Sequence, residues 1–314
     1  MKLAMDLSIV MPCYNSGKYL EEALASFLAQ KTHYSLELIV VVDPSNDNTH
    51  EVLAAISDPR VHVIYNSTRL GLVPSRKLGI ASAEGRYIGF LDADDQLEPT
   101  FAETMLNAAN KYDADVVNCS FRVIREGHRH LQPYFFSRPF KVLTSYVAEK
   151  RLLADTSMRG FLWSKIYRKR LLGQPTIELP LHHMFEDMPL NFGYFAKANR
   201  IVSLPKALYR YRKAKSPSLT TSNRSDRAQQ HLDSFALIRI FADRSGDPRL
   251  VTIVRHSAWR IKLSLLYDIH LSKKAGLSKP EVKRIRRDLA LLGKKSPLPV
   301  EAKAWSYLLL DSPH

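Results

Sequence analysis

Tyr87-Ile88-Gly89-Phe90-Leu91-Asp92-Ala93-Asp94-Asp95 passes from a short apolar run into three carboxylates within four positions. The run 87–91 reads as a strand covered on both faces. In open α/β sheets, ligands bind outside the carboxyl ends of the strands, and Asp92, Asp94 and Asp95 fall at such an end. Carboxylates this close repel one another unless a cation lies between them. Hard oxygen donors of this kind suit Mg²⁺ or Mn²⁺, which bridge to a substrate diphosphate. The alternative is a solvated acidic turn that opens the next helix, because Asp favours helix starts.

The alternation extends in both directions. Residues 7–11, 36–42, 61–65 and 116–123 are further strand-like apolar runs. Between them Leu20, Leu24, Phe27 and Leu28 recur at helical spacing, and 49–56, 74–83 and 99–112 are further helical stretches. Pro74 and Pro99 stand where a first helical turn accepts proline. Strand and helix in turn over this length predict crossover units and an α/β fold with a mostly parallel sheet. After Arg125 the pattern loosens. Residues 126–143 read as an irregular loop or hairpin, 144–154 as a helix, 161–172 as a mixture of aromatic and basic residues, and 173–185 as a second loop. A helix runs from Glu186-Asp187 through Phe195, and 200–203 and 207–212 predict two short strands. The polar stretch 213–227 reads as a linker. From Asp226 onward only helices are expected: an apolar stripe of Leu250, Val254, Ala258, Ile261, Leu265 and Ile269, then a capping box of Ser278 and Glu281 ahead of a basic helix.

At 314 residues, 45% hydrophobic and 25% charged, the chain is neither collagen-like, nor a disulfide scaffold, nor wholly disordered. Cys13 and Cys119 lie in strand-like segments and read as buried, reduced thiols of a cytoplasmic protein. No apolar run approaches the roughly 18–20 residues of a membrane span, and residues 1–6 lack the core of a signal peptide. Charge is uneven: 8 Lys and Arg face 13 Asp and Glu over residues 1–100, and 23 face 9 over 201–314. A basic tail calls for an anionic partner, whether phosphate, lipid surface or nucleic acid, and charge alone does not choose. Nucleic acid is the weakest of the three, since no helix-turn-helix or interleaved aromatic-basic pattern accompanies the charge.

Two more strand ends carry candidates. Asp43, in Val42-Asp43-Pro44-Ser45-Asn46-Asp47, is placed to accept a hydrogen bond from a base or ribose, or to make a plain Asx turn. Pro12-Cys13-Tyr14-Asn15 brings a ring and an amide to the neighbouring edge, or forms an ordinary turn into the next helix.

Taken together these stretches resemble the family-2 glycosyltransferases of GT-A fold. The likeness runs in order through Ser8-Ile9-Val10-Met11-Pro12-Cys13-Tyr14-Asn15, residues 37–49, 71–80 and 84–95, Trp163-Ser164-Lys165-Ile166-Tyr167 and Phe185-Glu186-Asp187, covering about residues 7–212. It implies inverting transfer of a sugar from a nucleotide-diphosphate donor, most often UDP-linked, to an acceptor hydroxyl. It also implies that Pro12, Tyr14 and Asp43 line the nucleoside, with Asp43 on the base, and that Arg76 approaches the nucleotide. Asp92 and Ala93 would face the ribose or diphosphate, and Asp94 would ligate Mn²⁺ or Mg²⁺, assisted by Asp92 and Asp95. Asp187 would be the general base, with Glu186 the fallback; helix capping is the competing role. Trp163 and Lys165, with Phe161 and Tyr167 nearby, are candidate acceptor contacts or simply core. His182-His183 reads as an acceptor-loop or surface pair before a metal site, for want of a third ligand at suitable spacing.

The expected division is therefore 1–215, a GT-A domain with a nucleotide-binding half 1–125 and an acceptor half 126–215, followed by a basic helical region 226–314. Two departures from the family pattern stand out. Val42-Asp43-Pro44-Ser45 replaces the usual Asp-Asp-Gly-Ser, and Pro44 fixes a backbone angle that glycine leaves free. The Gln/Arg-x-x-Arg-Trp motif of processive synthases is missing, which favours single additions to a saccharide or lipid-linked saccharide of the cell surface. A catalytically silent, partner-binding relative is the alternative function. The basic tail is expected to hold the protein at the anionic inner face of the cytoplasmic membrane, or else to be a solvated helical appendage or an oligomer contact. On the first reading the full chain sediments with anionic vesicles at low salt and is released at high salt; recovery in the supernatant at low salt would contradict it.

Overall fold

The computed structural model describes residues 5–125, 132–133, 140–154, 158–173, 177–179, 186–213 and 224–255, with 257, 279–280, 283 and 287. The chain divides into two compact units, Met1–Ser216 and Pro217–His314.

The first unit is an α/β structure on one sheet. In chain order its strands are β1 (Leu7–Cys13), β2 (Leu36–Val42), β3 (Val61–Tyr65), β4 (Tyr87–Phe90), β5 (Gln96–Leu97), β6 (Val116–Arg125), β7 (Gln132–Pro133), β8 (Lys141–Leu143), β9 (Lys165–Arg168) and β10 (Ile201–Lys213). Its helices are α1 (Gly17–Leu28), α2 (Thr49–Ala54), α3 (Leu72–Ser82), α4 (Phe101–Lys111), α5 (Ser145–Leu153) and α6 (Asp187–Lys197). Sheet order is β3-β2-β1-β4-β9-β6-β10-β5, with β7 beside β6 and β8 beside β10. The first four strands are parallel, as the alternating pattern predicts. Every residue of β2 is buried, which explains the apolar, largely β-branched run from Leu38 to Val42. α3 packs on β1 and β2, and α4 on β6 and β10.

The sheet departs from the sequence reading in its second half. Residues 165–168 form β9, which enters antiparallel between β4 and β6 and makes the sheet mixed. The stretch looked irregular because its buried positions include a lysine and a tyrosine, Lys165 and Tyr167. The two short strands expected at 200–203 and 207–212 are one long β10. Its pairing with β6 shifts register between Ser203 and Ala207, around Pro205, which has no N–H to give. Of the expected loop 126–143, β7 and β8 are ordered strands, and 126–131 and 134–139 lie outside the described residues.

The second unit contains α7 (Arg224–Ser245), which begins inside the stretch read as a linker. Gly246 follows at φ 68°, the left-handed conformation that ends helices, and 248–255 are again helical. Leu250 and Val254 of the expected stripe are buried. The rest of that stripe, the Ser278–Glu281 box and most of the basic helix lie outside the described residues, as do His182-His183.

A buried polar knot joins the N-terminal ends of β1, β2 and β4. The Ser8 hydroxyl donates to Glu37, whose Oε1 also accepts the Glu84 N–H at 2.7 Å, while the Gly85 N–H donates to Ser8 Oγ at 2.7 Å. A Cβ on Gly85 would sit 2.4 Å from Ser8 N and 2.7 Å from the Tyr87 carbonyl oxygen, both backbone atoms. Gly85→Ala should therefore destabilise by about 1–3 kcal/mol, read as a lowered Tm; an unchanged Tm would contradict this packing.

Candidate active site

The carboxyl ends of β1, β2 and β4 point the same way because the strands are parallel, so three loops converge there. At the β1 end Pro12 and Tyr14 are half-buried. Asn15 takes φ 48°, and its side chain accepts the Asn46 N–H at 2.9 Å while its own N–H donates to Ser45 Oγ at 3.0 Å. The loops after β1 and β2 are thereby tied together. Arg69 lies 4.0 Å over the Tyr14 ring, a cation–π contact not anticipated from the sequence.

Asp43 ends β2 and is 3% exposed. Its Oδ1 accepts Asn66 Nδ2 at 2.8 Å and the Leu70 N–H at 3.1 Å, and its Oδ2 accepts the Gly71 N–H at 2.8 Å. Gly71, at φ 86°, lets the chain turn sharply into α3. In this structure the Asp43 carboxylate anchors the wall formed by residues 66–71, where the sequence reading had it facing a base.

The three carboxylates after β4 have three environments. Asp95 is 1% exposed, with Oδ2 accepting the Tyr209 hydroxyl at 2.8 Å and Oδ1 the Arg212 N–H at 2.6 Å. Burial, reinforced by Asp94 and Asp92, raises its pKa well above the carboxylate range. Both oxygens are committed to β10, which corrects the expectation that Asp95 assists a metal. Asp94 is exposed, and its carbonyl accepts Arg212 Nε at 2.8 Å. Asp92 stands between these extremes, 31% exposed at its side chain. Loss of hydration lifts it to about 6 despite the opposing charge of Arg76. Ala93 between them is buried. Among the described residues no three His, Cys, Asp or Glu side chains gather as a metal-binding set. What remains on offer is Asp94 with Asp92, two hard carboxylates. That donor set fits Mg²⁺ or Mn²⁺ in the mode where substrate phosphates and water complete the shell.

Arg76, on the buried side of α3, joins this turn to the start of α6. Its Nη1 donates to Glu186 Oε1 at 2.7 Å and to Asp187 Oδ1 at 2.9 Å, and its Nη2 to Asp92 Oδ1 at 3.3 Å. Burial works against the charge on Arg76, but Asp187, Asp92 and Glu186 outweigh it and hold the guanidinium more firmly protonated than usual. Glu186 is 4% exposed at its side chain, and burial, aided by Asp187, pushes it up to about 8 against the pull of Arg76. Asp187 keeps 23% exposure and is the member of the pair that an incoming group can reach. Its Oδ2 accepts the Leu162 N–H at 3.3 Å. Asn191 secures the helix start by donating to the carbonyls of Asp187 at 2.8 Å and Gly160 at 2.6 Å, and accepts the Tyr167 hydroxyl at 2.7 Å.

The other two acceptor candidates are inside. Lys165 is fully buried, with Nζ donating to the carbonyls of Arg159 at 2.8 Å and Phe161 at 2.6 Å and to Ser164 Oγ at 3.2 Å. It pins the turn that precedes β9 and offers no amine to a ligand. Trp163 is 3% exposed and stacked among other aromatic rings. Of the sequence-predicted site residues, Arg76 brings Asp92 together with Glu186 and Asp187, while Asp94 stands exposed two residues from Asp92. The contacts that Tyr209, Arg212, Asn66 and the Leu162 N–H make here are tertiary and leave no local pattern in the sequence.

Comparison with known proteins agrees with this architecture. The chain is 29% identical over 210 residues to the uncharacterized glycosyltransferase EpsJ of Bacillus subtilis, covering 66% of this chain and 60% of EpsJ. It is 28% identical over 211 residues to the succinoglycan biosynthesis protein ExoO of Rhizobium meliloti, again 66% of this chain and 60% of the relative. The chain thus spans about three fifths of the length of these relatives. Among solved structures, S. aureus TarS 1-349 in complex with UDP-GlcNAc superposes with a TM-score of 0.68 at 20% identity, over 98% of this chain and 89% of that one, which establishes the GT-A-like α/β fold. Residues 8–173 match the family model for glycosyl transferase family 2; that stretch is more than half of the chain, and the protein belongs to this family.

Proposed function

We propose that the chain is an inverting, single-addition glycosyltransferase that moves a sugar from a nucleotide-diphosphate donor, UDP-linked, to an acceptor hydroxyl in the making of a cell-surface polysaccharide or glycolipid. The observation that carries this reading is the Arg76 bridge, which sets a reachable carboxylate, Asp187, one side chain away from the acidic turn after β4. The TarS structure holds UDP-GlcNAc and ExoO is named for succinoglycan biosynthesis, which supports the donor class and the product class.

On this reading the nucleoside rests against Pro12 and Tyr14, beside the wall that Asp43 anchors. Asp94 and Asp92 hold the divalent cation, which when bound stabilises negative charge on the departing diphosphate. Asp187 does the proton work. An acceptor hydroxyl is a poor nucleophile until a base removes its proton. As the acceptor oxygen bonds to the sugar's anomeric carbon, the proton passes to Asp187. The bond from that carbon to the diphosphate breaks, its electron pair leaving with the nucleotide. One displacement inverts the centre. Arg76 holds Asp187 by Oδ1 and the Leu162 N–H holds it by Oδ2, so the carboxylate is fixed in place while it takes the proton. Glu186, neutral over most of the physiological range, leaves the charge of Arg76 to Asp187 and Asp92.

Asp187→Asn is expected to cut transfer by about 10²- to 10⁴-fold while UDP with Mn²⁺ still raises the Tm. Asp94→Ala should abolish transfer and the Mn²⁺-dependent part of that UDP shift together. Wild-type turnover by Asp187→Asn would overturn its role as base. A raised carboxyl pKa means the folded state holds its proton longer than the unfolded one. Glu186 therefore contributes stability below its ordinary 4.5 and loses it as pH rises through about 8. Wild type should lose Tm relative to Glu186→Gln between about pH 5 and pH 9, and parallel pH–Tm curves would contradict the burial of an ionisable Glu186.

A further inference from the structure

Five aromatic side chains, Phe121, Phe161, Trp163, Tyr209 and Tyr211, cluster between the two carboxylate positions. Trp163 lies 4.6 Å from Phe161 and 4.3 Å from Tyr209, nearly parallel to both at 10° and 18°. Tyr211 is parallel to Trp163 at 5.6 Å and to Phe161 at 6.5 Å. Phe121 meets Trp163 edge-on at 4.9 Å, closing the inner side. The inner rings are buried, Tyr209 at 0% and Trp163 at 3%, whereas Phe161 and Tyr211 are only half-buried.

The ends of this cluster are fixed to the reacting groups. Phe161 is followed by Leu162, whose N–H donates to Asp187 at 3.3 Å. The Tyr209 hydroxyl donates to Asp95 at 2.8 Å and accepts the Asp92 N–H at 3.2 Å, and Tyr211 lies two residues further along the same face of β10. Lys165 clamps the Phe161 carbonyl at 2.6 Å, which sets the ring's position from below. Two partly exposed, mutually parallel rings thus belong to a cluster tied to the base through Leu162 and to the donor-side acids through Tyr209. Tyr14, on the β1 loop, is already taken as the nucleoside edge. Both rings also meet Phe121 edge-on, at 5.8 Å for Phe161 and 6.3 Å for Tyr211, so the cluster fixes their orientation while leaving each partly open to solvent.

We propose that Phe161 and Tyr211 form a stacking platform for a neutral pyranose ring of the acceptor, with Trp163 supporting them from inside; this rests on the transfer reading above. Aromatic faces carry negative charge density, and the axial C–H bonds on one face of a pyranose present weakly positive hydrogens to it. Stacked there, the acceptor ring is oriented and one hydroxyl is directed to Asp187. Of the acceptor contacts expected from the sequence, the platform keeps Phe161, sets Trp163 behind it, leaves out Lys165 and adds Tyr211.

The test is saturation-transfer NMR on the full chain with UDP and Mn²⁺ present, using methyl β-D-glucopyranoside and methyl β-D-galactopyranoside as probes. At least one glycoside should show saturation concentrated on the axial hydrogens of a single ring face. Phe161→Ala and Tyr211→Ala should weaken its binding by about threefold to tenfold, and Tyr211→Phe, which keeps the ring, should not. A Tm shift with UDP and Mn²⁺ in each variant separates a lost platform from a lost fold. With that shift intact, no glycoside saturation in the wild type, or equal saturation in Phe161→Ala, overturns the platform alone. A wild type whose Tm ignores UDP overturns the transfer reading itself.

Discussion

One buried guanidinium gathers charges that the chain supplies from distant places. Arg76 contacts Asp92 sixteen residues away and Glu186 and Asp187 at separations of 110 and 111. Taking so many ionisable groups out of water is costly, and mutual pairing is what makes it tolerable. Removing the partner of a buried charge typically costs about 3–5 kcal/mol, because the remaining charges are stranded. Here three carboxyl groups would be stranded at once. Glu186 answers part of the difficulty, because burial shifts its carboxyl toward the neutral form against the pull of Arg76. Arg76 Nε and Glu186 Oε2 are buried without a hydrogen-bond partner among the described residues, a residual cost that a site retains when geometry for a ligand takes precedence over internal satisfaction.

Residues of the same type behave differently once this hub is in place. Asp95 is absorbed into β10 through Tyr209 and the Arg212 N–H, Asp92 leans on Arg76, and Asp94 faces solvent. Three acids within four positions therefore become a structural anchor, a link between two halves of the site, and an open ligand. Lys165 illustrates the same point from the other side. A lysine in a motif next to an aromatic residue invites a reading as a substrate contact, yet its ammonium is spent on three oxygens beneath the turn that carries Leu162 and Phe161.

What could be read in advance was whatever has a local period or a strand-end position. The apolar runs of β1, β2, β3 and β4 and the helical stripes between them are visible because burial on both faces, or on one, imposes a pattern on neighbouring residues. Asp92 and Asp94 drew attention because they follow a strand, and Asp187 through the family resemblance alone. β9 escaped because its buried residues include a lysine and a tyrosine, whose polar ends are met by the turn just before the strand and by Asn191 of α6. The continuity of β10 was hidden by Pro205, which reads locally as a break although the strand resumes its pairing after a register shift. Nothing in the helix of Arg76 reveals that its partners come from the turn after β4 and the start of α6. The three N–H donors from 66–71 that hold Asp43 likewise reach it only in the folded chain.

The account stands on the acidic turn and the Glu186-Asp187 pair serving one bound donor. The most direct measurement is a crystal structure of the full chain soaked with UDP and Mn²⁺, with anomalous diffraction recorded at the manganese edge. The account predicts a single anomalous peak in contact with an oxygen of Asp94 and with both phosphates, the uracil beside Tyr14, and Asp187 on the open side of the diphosphate. Manganese or nucleotide bound away from Asp94, with the turn after β4 unliganded, would contradict it.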